Sequence, residues 1–160
     1  MEAGFKMFSY VQGWVDDLDG ERSVDYEAAL SARNEAYAPY SNFFMVGASL
    51  RMGNGRVFTG WNSETISYDG VHAEESARGR VDSASRLSGL KRVTIVGAPA
   101  DESVCEPTAP CGACRQKLLE LSCGADGVEV VMASVKGRVI IATLNDLLPF
   151  AFFPKDLLKK

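Results

Sequence analysis

Histidine is almost missing from this sequence: its 160 residues contain one, His72. A lone histidine in a defined pattern carries more information than one of many. Cationic side chains are not in excess either. Lys and Arg number 17 against 21 Asp and Glu, for a net charge of −4. A polynucleotide binder needs a basic patch for the phosphates, so this charge balance argues against one. No run of apolar residues is long enough to span a membrane. Met1 to Val15 has no sustained apolar core and carries an acid at Glu2, so a secretory leader is not expected and the protein reads as cytoplasmic. Internal repeats, low-complexity runs and linkers are also missing. There are four cysteines, Cys105, Cys111, Cys114 and Cys123. Without a leader, a C-x-x-C pair reads as metal-binding or redox-active.

What remains is ordinary globular material, 46% hydrophobic and 24% charged. The length suits one domain over residues 1–160. Phe5, Phe8, Val11, Trp14, Val15 and Leu18 recur mostly at spacings of three, which predicts an amphipathic helix over Met1 to Leu18, weakened by Gly4 and Gly13. Residues 1–22 thus read as an N-terminal helical extension. A second helix is expected from Ser23 to about Tyr37, ending before Pro39. Phe44–Leu50 and Val57–Trp61, separated by Gly53-Asn54-Gly55, read as a hairpin. Then come a helix from His72 to Leu87, a strand over Arg92–Ala98, a helix from Cys111 to Leu121, and strands over Val128–Ser134 and Arg138–Leu144. Asn145 or Asp146 is a candidate cap for a short final turn. Late alternation of strands and helices implies parallel neighbours, while the hairpin makes the sheet mixed. The expected fold is a three-layer α/β/α sandwich with a mixed sheet of about five strands.

Two short stretches carry the chemistry: His72-Ala73-Glu74 and Pro110-Cys111-Gly112-Ala113-Cys114. Catalytic zinc takes three protein ligands and leaves a position open. His72, Cys111 and Cys114 supply three. The cysteines lie at i and i+3, on one face of a helix start, where free N–H groups and the dipole favour thiolates. Pro110 suits the first position before that helix. Two thiolates and a neutral imidazole balance the charge of the dication. Glu74 is placed to move protons beside the metal. Two other readings stay open: a redox-active C-x-x-C, and a closed structural zinc site made by all four cysteines. Cys105 and Cys123 read more simply as small apolar fillers.

The pattern H-x-E…P-C-x-x-C is similar to the signature of zinc-dependent nucleobase deaminases. Further words match one family within that class. They are Ala36-Tyr37-Ala38-Pro39-Tyr40-Ser41, Phe44 with Val46-Gly47-Ala48, Gly60-Trp61-Asn62-Ser63-Glu64, Ser67-Tyr68, Cys111-Gly112-Ala113-Cys114-Arg115-Gln116, and Leu147-Leu148-Pro149 with Phe152. On these, Tyr26 to Leu157 resembles a cytidine deaminase of the short, single-domain kind. The resemblance implies deamination of cytidine or deoxycytidine to uridine or deoxyuridine, in pyrimidine salvage, with one zinc ion per chain. It implies Asn62 and Glu64 on the ribose, Phe44 against the base, and backbone contacts from Ala73. It also implies a homotetramer with shared active sites, in which Phe152 reaches the substrate of a neighbouring subunit. Alternative substrates are a cytosine nucleoside antibiotic of the blasticidin type and, less well supported, a polynucleotide. Short tetrameric members carry Cys where this chain has His72 and Arg where it has Glu75. Three thiolates leave a negative zinc site that an Arg offsets, so the two departures read as one electrostatic swap. One extra residue between Ser41 and Phe44 leaves open whether Phe43 or Phe44 faces the base.

Overall fold

The computed structural model describes residues 7–103 and 106–153. Its centre is a six-stranded mixed sheet with strand order β1-β6-β5-β4-β2-β3. The strands are β1 (Val11–Trp14), β2 (Phe44–Met52), β3 (Val57–Trp61), β4 (Leu90–Pro99), β5 (Glu129–Ala133) and β6 (Arg138–Thr143). Among the described residues, five α-helices and a 3-10 turn at Val15–Asp17 complete the fold: α1 (Gly20–Arg33), α2 (Ala73–Gly79), α3 (Ser83–Leu87), α4 (Gly112–Leu121) and α5 (Leu144–Leu147). Among the six strands, β4 and β5 pair in parallel and are joined through α4, and the other strand pairs of the described residues are antiparallel. No helix among the described residues is long and apolar enough to cross a membrane.

Alternation along the central strands splits the core in two. Val93, Ile95, Val130 and Met132 face a cluster with Ala77 and Val81 from the α2 side, Leu118 and Leu121 from α4, and Leu144 from α5. Val96, Val131 and Ala133 face the other way, onto Tyr26 and Ala29 of α1. The three-layer α/β/α arrangement is the one expected. Two glycines allow close approach of helix to sheet. A Cβ at Gly47 would lie 2.0 Å from the Ala29 carbonyl oxygen, and one at Gly60 would lie 2.2 Å from the Ala77 nitrogen and 2.6 Å from the Ala73 oxygen. Gly60 therefore sets how closely α2, with His72 at its head, sits on β3.

Several boundaries differ from expectation. The helix expected over Met1 to Leu18 is not formed from residue 7 onward, and Met1 to Lys6 lie outside the described residues. Val11–Trp14 instead pairs with β6, from Val11 opposite Ile141 to Trp14 opposite Arg138, giving the sheet its sixth strand. The open edge of β6 offers a full hydrogen-bond ladder, whereas a helix through Gly13 has little propensity. Helix α1 starts earlier than Ser23, because Asp19 caps it by accepting from Arg22 N at 3.2 Å. It also ends earlier, and Tyr37 bridges to Ser63. The single helix expected from His72 to Leu87 breaks after Gly79, and Asp82 caps a new piece by accepting from Ser85 N at 2.8 Å. Leu87, expected on the apolar side, is 88% exposed. Thr143, not Asn145 or Asp146, caps α5.

Gly60→Ala should cost about 1–3 kcal/mol through overpacking against backbone. It should also lower zinc content, since α2 must shift outward. Urea unfolding of the metal-free protein and metal analysis check this; a wild-type midpoint with full zinc content would refute it.

Candidate active site

Both ligand-bearing stretches fall at helix N-termini on the same face of the sheet. His72 is the N-cap of α2 and Cys111 the N-cap of α4; neither caps with its side chain, so both are free to point elsewhere. His72 Nδ1 lies 3.3 Å from Cys114 Sγ and 3.4 Å from Cys111 Sγ. Zinc bonds of about 2.3 Å to sulfur and 2.0 Å to nitrogen at tetrahedral angles put N and S about 3.5 Å apart. The three donors can therefore hold a zinc ion as they stand, and their ligand atoms all lie within 4.8 Å of one another. Cys123 is not part of the cluster: it is exposed and its thiol donates to the Arg86 carbonyl at 3.1 Å. That removes one ligand from the four-cysteine alternative and corrects the reading of Cys123 as a core filler. Cys105 lies outside the described residues.

The cluster opens onto a pocket of about 640 Å³ whose walls include Phe44, Asn62, Glu64, His72, Ala73, Glu74 and Cys111. Glu74 is 6% exposed. Burial pushes its carboxyl above the usual carboxylate range; its own backbone N–H, His72 and the Cys114 thiol pull the other way. Burial likewise pushes the Cys114 thiol far up, helped by the neighbouring Glu74 and Cys111. A bound dication inverts that balance and makes the thiolate the stable form.

Ala73 is fully buried at the first position of α2 and lines the pocket. Phe44 forms part of the wall. Asn42 and Phe43 take positive φ, both at 57°, a turn that leaves Phe43 outward and 56% exposed. Asn62 is locked to β2, its Oδ1 accepting from Val46 N at 2.8 Å and its Nδ2 donating to the Phe44 carbonyl at 2.9 Å. Glu64 Oε2 accepts from the backbone N–H groups of Tyr40 and Ser41 at 2.6 and 3.1 Å. The Ser41 side chain holds its carboxyl below the usual range; burial opposes this, and the two amides add to the lowering. Phe152 is not brought into this pocket: it is 54% exposed, and its backbone is clamped by both ends of the Gln116 amide at 2.7 and 3.2 Å.

The model of the cytidine and deoxycytidylate deaminase zinc-binding region matches residues 22–132. The chain belongs to the cytidine deaminase family. A cytidine deaminase of Halalkalibacterium halodurans is 38% identical over 138 residues, 86% of this chain and 98% of that protein. The crystal structure of cytidine deaminase from Burkholderia pseudomallei superposes with a TM-score of 0.66 at 39% identity, covering 81% of this chain and 98% of that one. Cytidine deaminase from Mycobacterium tuberculosis superposes with a TM-score of 0.61 at 32% identity, covering 84% and 99%.

Sequence reasoning missed the residues that hold the site from behind. Arg115, quoted only as a family word, donates to the Pro110 and Leu147 carbonyls, both at 2.8 Å, and so ties the start of α4 to the end of α5. Thr108 and Ala109 line the pocket from the loop before α4. Their only signal was adjacency to Pro110. Because the buried Cys114 thiol must lose its proton to a metal, zinc affinity should rise at least about tenfold per pH unit between pH 6 and 8. Chelator competition measures it; an affinity independent of pH over that range would contradict the assignment of Cys114 as a ligand.

Proposed function

We propose that this chain hydrolytically deaminates cytidine and deoxycytidine, releasing uridine or deoxyuridine and ammonia. The observation that carries the reading is the convergence of His72, Cys111 and Cys114 beside the buried carboxyl of Glu74, at the end of a pocket of nucleoside size. The family's zinc-binding region fits that donor set. Zinc, when bound there, supplies the Lewis acidity that makes water a competent nucleophile at neutral pH. Glu74 takes a proton from that water and passes it to the ring nitrogen N3 as the new C–O bond forms at C4. It then takes the remaining proton of the new C4 hydroxyl and gives it to the amino group, so that the C4 carbonyl forms as the C4–N bond breaks and ammonia leaves. At 6% exposure the Glu74 carboxyl is shielded from bulk solvent, which suits both halves of this exchange because the proton it carries is not lost between them.

Glu64 and Asn62 bind the sugar in this proposal, the Glu64 carboxylate accepting from a ribose hydroxyl. Phe44 packs against the base, and the backbone at Ala73 contributes polar contacts. Among the described residues, those lining the pocket include no Lys or Arg but do include Glu64 and Glu74. Such a lining favours an uncharged nucleoside over a nucleotide or a polynucleotide. An antibiotic substrate gains no support from any feature of the pocket. The exposed Phe152 ring, with its backbone held by Gln116, supports a homotetramer in which that ring reaches a neighbouring subunit's site. One domain over residues 1–160, a cytoplasmic location and a role in pyrimidine salvage complete the proposal.

Glu74→Gln should keep its zinc and lose at least about a hundredfold in kcat on cytidine. The wild type should turn over cytidine far better than cytidine 5′-monophosphate. Loss of cytosine absorbance follows both. A Glu74→Gln enzyme with wild-type kcat, or equal kcat/KM for the two substrates, would overturn the reading.

A further inference from the structure

Glu75 directly follows the proposed proton carrier, yet its side chain does not line the pocket. One carboxylate oxygen, Oε2, accepts from the backbone N–H of His72 at 3.4 Å. The other, Oε1, is ion-paired with the Lys117 ammonium. Lys117 lies one turn beyond Cys114 on α4, and its long side chain leans back toward that turn. A single carboxylate thus spans the two helices that carry the metal donors, next to a donor on each. The apolar contact between the helices lies further along them, where Ala77, Leu118 and Leu121 share one buried cluster. Among the described residues, Glu75–Lys117 is the ion pair that joins α2 to α4.

We infer that Glu75 and Lys117 are positioning residues of the metal centre: their ion pair fixes His72 relative to Cys111 and Cys114 and so slows loss of the metal. The inference rests on the reading of those three residues as the zinc ligands. Neither side chain touches the donor atoms in this role. Glu75 acts through the first turn of α2, and Lys117 through the turn of α4 that presents Cys114. The pair is partly exposed, with side-chain exposures of 43% for Lys117 and 28% for Glu75, so it adds little to folding stability. Its effect belongs in metal retention, where partners that orient ligands typically change affinity about 10–100-fold.

The test is a double-mutant cycle on the zinc-loaded full chain, read as the rate of zinc transfer to an excess of a chromogenic chelator. Glu75→Gln and Lys117→Met should each speed release by roughly tenfold, and the double variant should be no faster than either single one. Lys117→Arg should restore slow release. Melting of the metal-free proteins, followed by circular dichroism, should stay near the wild-type temperature. Wild-type release in both single variants, or effects that multiply in the double variant, would overturn the inference. So would a lowered melting temperature in the metal-free variants without a change in release. His72→Ala separates the two levels of the reading. If it holds zinc as tightly as wild type, the ligand set is wrong and the inference falls with it. If it loses zinc while both single variants keep wild-type release, the ligand set stands and the pair has no positioning role.

Discussion

The structure depends on one constraint: the N-termini of two helices from different parts of the chain must meet within the span of a single metal ion. His72 opens α2, which follows the hairpin β2–β3. Cys111 and Cys114 open α4, which crosses from β4 to β5. Both helices lie on the same face of the sheet, so their starts converge only if each is seated at a fixed depth. Gly60 sets that depth for α2 by letting its backbone touch β3. Arg115 sets the start of α4 by holding the Pro110 carbonyl against the end of α5. The N-terminal field of α4 favours thiolate at its first turn, which is the form a divalent ion needs. Fold and chemistry are coupled through these few contacts, and the pocket forms where they meet.

The far end of the sheet is held by charge. Asp25 of α1 is almost fully buried and accepts from Arg51 Nη2 of β2 at 2.6 Å and from Arg92 Nη1 of β4 at 2.9 Å. Arg92 also pairs with Glu129 at the start of β5, and Glu129 with Arg22. Buried charges persist only when so paired, and removing one partner strands the other. The network joins α1 to three neighbouring strands, while the metal-donor cluster lies in the opposite helical layer. Polar groups therefore fall into two separate sets: one closes the α1 face, and the other gathers around the pocket.

Much of this was legible in the sequence, for identifiable reasons. His72, Glu74, Cys111 and Cys114 sit in two short local patterns, so helix geometry alone puts each pair in usable positions. The hairpin was readable from Gly53-Asn54-Gly55, and the central strands from their β-branched runs. The first strand was not readable. Val11 and Trp14 fall at helical spacing, but the feature that decides their state is the open edge of β6, more than a hundred residues away. The break after Gly79 was hidden because Asp82 acts as a cap only once the chain has turned. Phe43 could not be told from Phe44 by composition; two positive φ values in succession settle which of them lines the pocket. Glu64 was legible as a carboxylate but not as one pinned by Tyr40 and Ser41. The Glu75–Lys117 pair links positions 42 apart and leaves no local signature. Short-range patterns announce chemistry, and long-range contacts decide its geometry.

The central claim is a zinc centre of one imidazole and two thiolates with room for a further light ligand. X-ray absorption at the zinc edge of the metal-loaded protein tests it most directly. The account predicts two sulfur scatterers at about 2.3 Å and two nitrogen or oxygen scatterers at about 2.0–2.1 Å, one with the outer-shell pattern of imidazole. Four sulfur scatterers, or a zinc without sulfur, would contradict it.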